Sequence, residues 1–150
     1  EPTTALDVTI QAQVLDLLQD LKKQFNSSII MITHDIGVIA QVCQRIIVMY
    51  NGQIVEASLY KDLYLKQFHP YSQGLLQSMP KMTRGEKLSS IKGQVPNPYE
   101  KLEGCGFAPR CDYCEDICTQ IEPELQEVQP GRFARCHFWD RVGGDANDKQ

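Results

Sequence analysis

The sequence has 150 residues, of which 42% are hydrophobic and 23% charged, and its formal net charge at pH 7 is −4. These values are typical of a soluble globular protein and argue against a disordered chain. The acidic balance comes without the clustered Lys and Arg of a nucleic-acid-binding surface, so no nucleic-acid partner is expected. The apolar runs are too short to span a bilayer, and no signal-peptide pattern is present.

The first part of the chain alternates helical and strand-like patterns. Asp7 is a good N-cap for a helix whose apolar positions recur at helical spacing and are expected to face a core: Val14, Leu17, Leu18, Leu21 and Phe25. Residues 28–33 (SIIMIT) are rich in β-branched side chains, which predicts a strand covered on both faces, as in a parallel sheet. A second helix is predicted over 36–44.

A strand and a hairpin follow. Residues 45–50 (RIIVMY) predict a strand, and Asn51-Gly52 favours a type I′ turn after which residues 53–57 pair back. Residues 1–57 are therefore expected to form an α/β domain with a parallel sheet and an antiparallel hairpin.

Beyond this domain the pattern changes. Short helices are predicted around 60–66 and 71–79, within a segment 58–99 that ends as a Gly- and Pro-containing linker. A small irregular cysteine-rich module is predicted over 100–142, and residues 143–150 are expected to form a tail.

Two polar residues stand at the ends of predicted buried strands, namely Glu1 in the opening EPTTALD and His34 in ITHD. Because the carboxyl ends of neighbouring parallel strands line one crevice, the two side chains are expected to converge. That pairing suits phosphoryl transfer. Glu1 would orient an attacking water, and His34 would donate a hydrogen bond to the transferred phosphate.

Both motifs resemble those of the ABC ATPase family. EPTTALD is similar to the end of its Walker B motif and its D-loop, ITHD to its switch-histidine segment, and RIIVMYNGQIVE to the strand pair that closes its catalytic domain. The resemblance implies a P-loop ATPase core that binds ATP with Mg²⁺. It makes Glu1 the catalytic glutamate and His34 the switch histidine. By the same resemblance, Ala5, Leu6 and Asp7 lie at the interface between two ATP-binding subunits.

Other parts of the nucleotide site are missing from these 150 residues. No G-x-x-x-x-G-K-[ST] phosphate loop occurs, and neither the Walker B aspartate nor the signature motif of the family is present. The sequence opens on Glu1 rather than methionine, so we expect it to be the C-terminal part of a longer subunit. Alone it is expected to hydrolyse no ATP, whereas the intact protein should.

The segment His69-Pro70-Tyr71, followed by Gly-Leu-Leu at 74–76, is similar to one found after the ATPase core in oligopeptide, dipeptide and nickel importers. From the residues alone it is a proline-started helix with aromatic packing, and no catalytic role is assigned to His69. The resemblance implies an importer motor subunit at the cytoplasmic face of the membrane. Its partners would be a second ATP-binding subunit, permease subunits and, indirectly, an extracytoplasmic peptide-binding protein.

Five of the six cysteines fall between Cys105 and Cys136, with the spacing C-x5-C-x2-C-x3-C-x17-C-H. Without a secretory signal, this clustering favours metal ligation over disulfides. Thiolates suit either tetrahedral zinc or an iron–sulfur cluster. Arg110 and Arg135 each directly precede a cysteine and are expected to lower thiol pKa values.

The peptide-importer subfamily has a similar pattern, C-x5-C-x6-C-x17-C, which maps onto four residues here: Cys105, Cys111, Cys118 and Cys136. The resemblance implies a [4Fe-4S] cluster, with zinc as the first alternative and free thiols or disulfides as the second. Cys114 departs from the pattern, and it is either a bystander or a replacement for Cys111 or Cys118. His137 is a further ligand that zinc would accept.

Two other functions fit parts of this pattern. One is a DNA-repair ATPase of the ABC type with a zinc module, although the acidic charge argues against it. The other is a binding module whose cysteines sense iron or redox state.

Overall fold

Residues 7–78, 91–97 and 103–144 are described by the structure, a computed structural model. The chain divides into two units, Glu1–Gln44 and Arg45–Gln150. Three predicted site residues, Glu1, Ala5 and Leu6, lie outside the described residues.

The first unit contains two helices, α1 (Val8–Gln24) and α2 (Ile36–Val42). The predicted cap of α1 is confirmed, because Asp7 Oδ1 accepts hydrogen bonds from the backbone N–H groups of Thr9, at 3.0 Å, and Ile10, at 2.9 Å. At the other end of α1, Asn26 has a φ of 46°, a left-handed conformation that ends the helix. Asp35 caps α2 in the same way as Asp7 caps α1.

The predicted strand over residues 28–33 is wrong, since these residues form neither helix nor strand. Ile30, expected to be buried, is 93% exposed, and Phe25 at the end of the predicted core stripe is 67% exposed. A strand of a parallel sheet needs backbone partners beside it, and none of the described residues of this unit forms one. The parallel sheet is therefore not part of the described structure, which is mixed α/β with a small antiparallel sheet.

The second unit is built on that sheet. Its strands are β1 (Arg45–Tyr50), β2 (Gln53–Leu59), β3 (Gln126–Gln129) and β4 (Arg132–Ala134), in the spatial order β1-β2-β4-β3. All neighbours are antiparallel. The predicted turn between β1 and β2 is confirmed, because Asn51 and Gly52 have φ values of 46° and 78° and a type I′ turn needs both to be positive.

The described residues of this unit also form four short helices and a 3-10 turn, namely α3 (Tyr60–Leu65), α4 (Pro70–Gln77), α5 (Asp116–Gln120) and α6 (Trp139–Val142), with the turn over Ala108–Arg110. The predicted helices around 60–66 and 71–79 correspond to α3 and α4. Pro70 occupies the first turn of α4, where its missing N–H costs no hydrogen bond.

The core of the second unit joins the hairpin to the cysteine-rich segment. Its buried residues are Val48, Tyr50, Val55, Leu63 and Phe107. The Phe107 ring meets the Tyr50 ring edge-on with centroids 5.2 Å apart, and the Tyr71 ring lies 4.7 Å from that of Tyr50. Such aromatic pairs contribute about 1 kcal/mol each beyond their buried area. The segment that carries the cysteines therefore packs into the same core as β1 and β2.

A buried carboxylate links β2 to the start of α4. Glu56 is 1% exposed, and its two oxygens accept hydrogen bonds from the backbone N–H groups of Phe68, at 2.9 Å, and His69, at 3.0 Å. Burial raises the pKa of Glu56, against the effect of these hydrogen bonds. The adjacent imidazole of His69 is also 1% exposed, and burial lowers the pKa of His69 to about 3.

We expect acid to destabilise the second unit through His69. Its pKa is about 3 in the folded protein, whereas the unfolded chain takes up the proton near about pH 6.5. The contribution of the neutral His69 ring to the free energy of unfolding is therefore complete above about pH 6.5. It falls by about 1.4 kcal/mol per pH unit as the pH drops towards the pKa of His69 in the folded protein. Urea unfolding from about pH 7 to about pH 4 measures this loss.

His69→Asn is the matched control for this measurement. The raised pKa of Glu56 acts in the opposite direction, because its contribution is present at low pH and is lost as the pH rises. Glu56 is common to both proteins, so the difference between their unfolding free energies isolates His69. That difference should shrink on acidification; identical pH slopes would contradict the assignment.

Candidate functional site

A small cavity in the second unit brings together the four cysteines of the predicted set: Cys105, Cys111, Cys118 and Cys136. We call it the thiol cavity. The rest of its lining consists of aromatic, apolar and imidazole side chains, namely His69, Pro70, Phe107, Ala108, Tyr113, Pro123, His137 and Phe138. Its volume is about 10 Å³, roughly the room of one water-sized sphere.

Three of the thiols are positioned by a tightly folded loop. The backbone N–H of Cys105 donates to the Cys118 carbonyl at 2.7 Å, which closes the loop between the two residues. The 3-10 turn between Cys105 and Cys111 then reverses the chain, and the Tyr113 N–H donates to Cys111 Sγ at 3.3 Å. These bonds hold residues distant along the chain at one place.

The hydrogen bond that closes this loop, between the Cys105 N–H and the Cys118 carbonyl, requires glycine at position 104. A Cβ on Gly104 would fall on the backbone of Cys118 and Thr119, whose atoms cannot move aside like the end of a side chain. Gly104 thus allows the backbone to approach residues 118 and 119 closely.

The fourth thiol, that of Cys136, is positioned by the sheet. Cys136 lies two residues beyond β4, which pairs with β2 through Glu56 opposite Ala134 and Ala57 opposite Phe133. The Arg135 N–H continues this pairing by donating to the Val55 carbonyl at 2.9 Å. The hairpin predicted from the sequence therefore positions Cys136 as well.

Burial favours the protonated form of three of these thiols. It raises the pKa of Cys105, that of Cys111 to about 11 and that of Cys136 to about 12, and repulsion between neighbouring thiolates adds to each shift. The expected lowering of thiol pKa values by Arg110 and Arg135 is wrong. Arg110 donates to the carbonyls of residues 91 and 92 and to a tyrosine hydroxyl, and Arg135 donates to Glu122 and to the carbonyls of residues 54 and 123.

The two additional ligands considered from the sequence differ in position. Cys114 is exposed and does not line the thiol cavity, and its Sγ is 3.7 Å from the Glu115 carbonyl oxygen. His137 lines the cavity, with Nε2 2.9 Å from the Ile121 carbonyl oxygen. All six cysteines are free thiols, so none is in a disulfide.

The donor set fits a thiolate-bound metal in the kind of donor but not in its present arrangement. Four soft donors line one apolar cavity, and thiols of raised pKa ionise most readily when a cation compensates their charge. Over residues 7–78, 91–97 and 103–144, however, no three His, Cys, Asp or Glu side chains are gathered closely enough to hold a metal ion. The residues are therefore assembled as neighbours but not as a closed coordination shell.

The residues proposed for nucleotide chemistry are described only in part. Asp7 precedes α1 as its cap, and His34 is exposed directly before Asp35, the cap of α2. Thr33 Oγ1 accepts the Asp35 N–H at 3.0 Å, which fixes the turn around His34. The expected convergence of His34 with Glu1 lies outside the described residues and stays a prediction.

Two buried polar residues were not predicted from the sequence, Glu56 and His69, and His69 lines the thiol cavity. The sequence carried a signal for the second one, because a histidine directly before proline at a helix start can cap that helix. The structure places its ring in the cavity wall. Glu56 is the last residue of RIIVMYNGQIVE. The alternation of apolar and polar residues in this segment does not predict that the Glu56 side chain is buried.

Comparison with known proteins gives consistent results. Residues 55–118 match the family model described as the oligopeptide/dipeptide transporter, C-terminal region. The chain is 50% identical over 147 residues to the oligopeptide transport ATP-binding protein AppD of Bacillus subtilis, covering 97% of this chain and 44% of that protein. It is 48% identical to the dipeptide transport ATP-binding protein DppD of Haemophilus influenzae, covering 91% and 42%. With the oligopeptide transport ATP-binding protein OppD of Salmonella typhimurium the identity is 45%, with coverage of 91% and 41%.

The chain thus spans less than half the length of these relatives. Within the described residues, no helix combines the length and apolarity needed to cross a membrane. Both the family model and the relatives are named for peptide transport, which agrees with the resemblance in EPTTALD, ITHD and the HPY segment. Residues 55–118 thus match the C-terminal region of the oligopeptide/dipeptide transporter family, and the chain is similar over most of its length to ATP-binding proteins named for peptide transport.

Proposed function

We propose that this chain is part of the ATP-binding motor subunit of an importer of dipeptides or oligopeptides, and that the intact protein hydrolyses ATP. The observation that carries the proposal is the 50% identity to a named oligopeptide transport ATP-binding protein over 97% of the chain. The matched proteins are named for transport, which favours this function over a DNA-repair ATPase or a stand-alone sensor of iron or redox state.

In this function residues 1–57 contribute one edge of a nucleotide site that holds ATP with Mg²⁺. Glu1 orients the attacking water as the catalytic glutamate, and His34 donates a hydrogen bond to the transferred phosphate. The exposure of His34 directly before α2 supports this role, because an exposed imidazole there is accessible to a ligand.

The partners follow from the same proposal. Ala5, Leu6 and Asp7 contact a second ATP-binding subunit across the nucleotide. The pair drives transmembrane permease subunits from the cytoplasmic face of the membrane, and an extracytoplasmic peptide-binding protein supplies the cargo. Residues 58–99, 100–142 and 143–150 then form the helical segment and linker, the cysteine module and the tail.

We further propose that Cys105, Cys111, Cys118 and Cys136 bind a metal centre, with a [4Fe-4S] cluster as the first choice and zinc as the alternative. The common cavity of these four thiols supports metal binding. Among the described residues the ligand side chains are not gathered closely enough to hold an ion as they stand, so binding of either group requires the thiols to rearrange around it. When bound, either group would cross-link the loop, α5 and the chain after β4. A structural zinc contributes on the order of 10 kcal/mol in small modules.

Glu1→Gln in the intact protein tests the catalytic assignment. Glutamine keeps the size of the side chain but cannot accept the proton of the attacking water, so ATP turnover should fall by about 10²- to 10⁴-fold. Steady-state phosphate release measures the fall, and ATP binding should remain. Turnover close to wild type would remove Glu1 from the mechanism.

Asp7→Asn and Asp7→Ala separate the helix cap from the subunit interface. Asparagine is as good an N-cap as aspartate but has no charge, whereas alanine loses the cap and costs about 1 kcal/mol. We expect Asp7→Asn to lower ATP turnover in the intact protein without changing its unfolding midpoint, and Asp7→Ala to lower both. If the Asn variant turns over ATP normally, the carboxylate serves only as a cap.

Serine substitution of single cysteines tests the metal centre, because serine keeps the size of the side chain and removes the soft ligand. We expect Cys118→Ser and Cys136→Ser to lose metal from the intact protein after anaerobic purification. Cys114→Ser should retain it, since that side chain lies outside the thiol cavity. Iron, sulfide and zinc analysis per chain gives the outcome.

About four irons with broad visible absorption identify the cluster, and one zinc identifies the alternative. Equal loss of metal in the Cys114 and Cys118 variants would contradict the ligand set. Absence of both metals from the anaerobic wild type would contradict metal binding itself.

A further inference from the structure

The proposed function gives no role to Cys114. All six cysteines lie within the described residues, and Cys114 alone is exposed. By contrast, Cys118 and Cys136 are 7% and 8% exposed, and Cys105 and Cys111 are half-buried. A reagent in solution therefore reaches the Cys114 sulfur more easily than any of the four thiols that line the thiol cavity.

Cys118 is a near neighbour of Cys114 in space. The Cys118 N–H donates to the Glu115 carbonyl at 2.9 Å, which folds residues 115–118 into a single turn directly after Cys114. Burial, the charge of a Cys118 thiolate and a hydrogen bond with the Cys118 side chain raise the pKa of Cys114. The two sulfurs therefore lie close to each other, as the formation of a bond between them requires.

Cys118 also connects the exposed thiol to the buried ones. Its side chain lines the thiol cavity, whereas that of Cys114 does not, and its backbone carbonyl accepts the Cys105 N–H at 2.7 Å. An accessible thiol beside a buried one is the arrangement of an attacking and a resolving cysteine. Because the pKa of Cys114 is raised, its thiol is mostly protonated at neutral pH. Its exchange with a disulfide is therefore slow and depends on an excess of oxidant.

We propose that Cys114 and Cys118 form a reversible thiol–disulfide pair that reacts with small uncharged disulfides, with Cys114 as the attacking thiol and Cys118 as the resolving thiol. The inference goes beyond the proposed function and requires no bound metal. The preference for an uncharged reagent follows from Glu115 and Asp116, which directly follow Cys114 and are both exposed. Their carboxylates repel an anionic disulfide and leave a neutral one unaffected.

The reaction has two exchange steps. In the first, the Cys114 sulfur attacks one sulfur of the small disulfide, whose S–S bond breaks, and half of the reagent leaves as a thiol with the proton of Cys114. In the second, the Cys118 sulfur attacks the Cys114 sulfur, and the other half leaves as a thiol with the proton of Cys118. The two cysteines are oxidised to one disulfide, and the reagent is reduced to two thiols. Because Cys118 lines the thiol cavity, the cavity is altered without the reagent entering it.

Bis(2-hydroxyethyl) disulfide, in excess over the intact protein, is the probe. Samples are quenched in acid at successive times, free thiols are alkylated, and mass spectrometry identifies the products and the linked peptides. In the wild type we expect loss of two hydrogen atoms and a link between Cys114 and Cys118. Dithiothreitol should restore both thiols, because the exchange is reversible.

Three variants separate the two roles. In Cys118→Ser the resolving thiol is absent, so one hydroxyethylthio group should accumulate on Cys114. In Cys114→Ser the accessible thiol is absent, and disulfide formation among the remaining cysteines of residues 105–136 should be about tenfold slower than in the wild type. Cys43→Ser is the matched control, because Cys43 lies in the other unit, and it should form the Cys114–Cys118 link at the wild-type rate.

Three results would overturn the inference. They are a mixed disulfide that persists on Cys114 in the wild type, a link from Cys114 to a cysteine other than Cys118, and a Cys114→Ser variant that is oxidised as fast as the wild type. If Cys118→Ser does not fold, the peptide map of the wild type and the rate of Cys114→Ser decide the outcome. The Cys114 side chain is exposed, so its replacement by serine leaves the packing of the second unit unchanged.

Discussion

The second unit depends on one buried carboxylate. Glu56 lies on β2, and its oxygens accept the backbone N–H groups of Phe68 and His69 just before α4 begins. Removing a carboxylate from water is costly unless its oxygens are hydrogen-bonded, so the two bonds fix where the chain after α3 must return. Once the chain is fixed there, Pro70 starts α4, the His69 ring caps it, and the aromatic core closes around Phe107. The position of His69 in the wall of the thiol cavity thus depends on Glu56, a residue of the β1–β2 hairpin.

The same arrangement explains which parts of the structure could be predicted from sequence. Helix α1 and the β1–β2 hairpin depend on local signals, a capping Asp7 and an Asn51-Gly52 turn, and both form as expected. The strand over 28–33 depends on partners beside it, and its composition alone does not provide them. The gathering of four cysteines followed from a resemblance in spacing. The burial of Glu56 and His69 required a tertiary fold that brings β2 and the start of α4 together, which no local pattern encodes.

The thiol cavity combines two opposing tendencies. Burial favours protonated, neutral thiols, whereas a metal centre requires thiolates. Neither neighbouring arginine resolves this conflict, because both guanidinium groups are engaged with backbone carbonyls and other side chains. If a metal centre forms here, the compensating positive charge would have to come from the metal itself. Its assembly would then be coupled to proton release.

The pairing of β4 with β2 also limits where the chain can be shortened without exposing a strand edge. β4 covers the side of β2 that β1 leaves free, at Glu56 and Ala57. A chain shortened before residue 126 would leave that backbone without partners, and a bare strand edge is a template for joining another molecule. The region that carries the cysteines therefore also protects the β1–β2 hairpin from self-association.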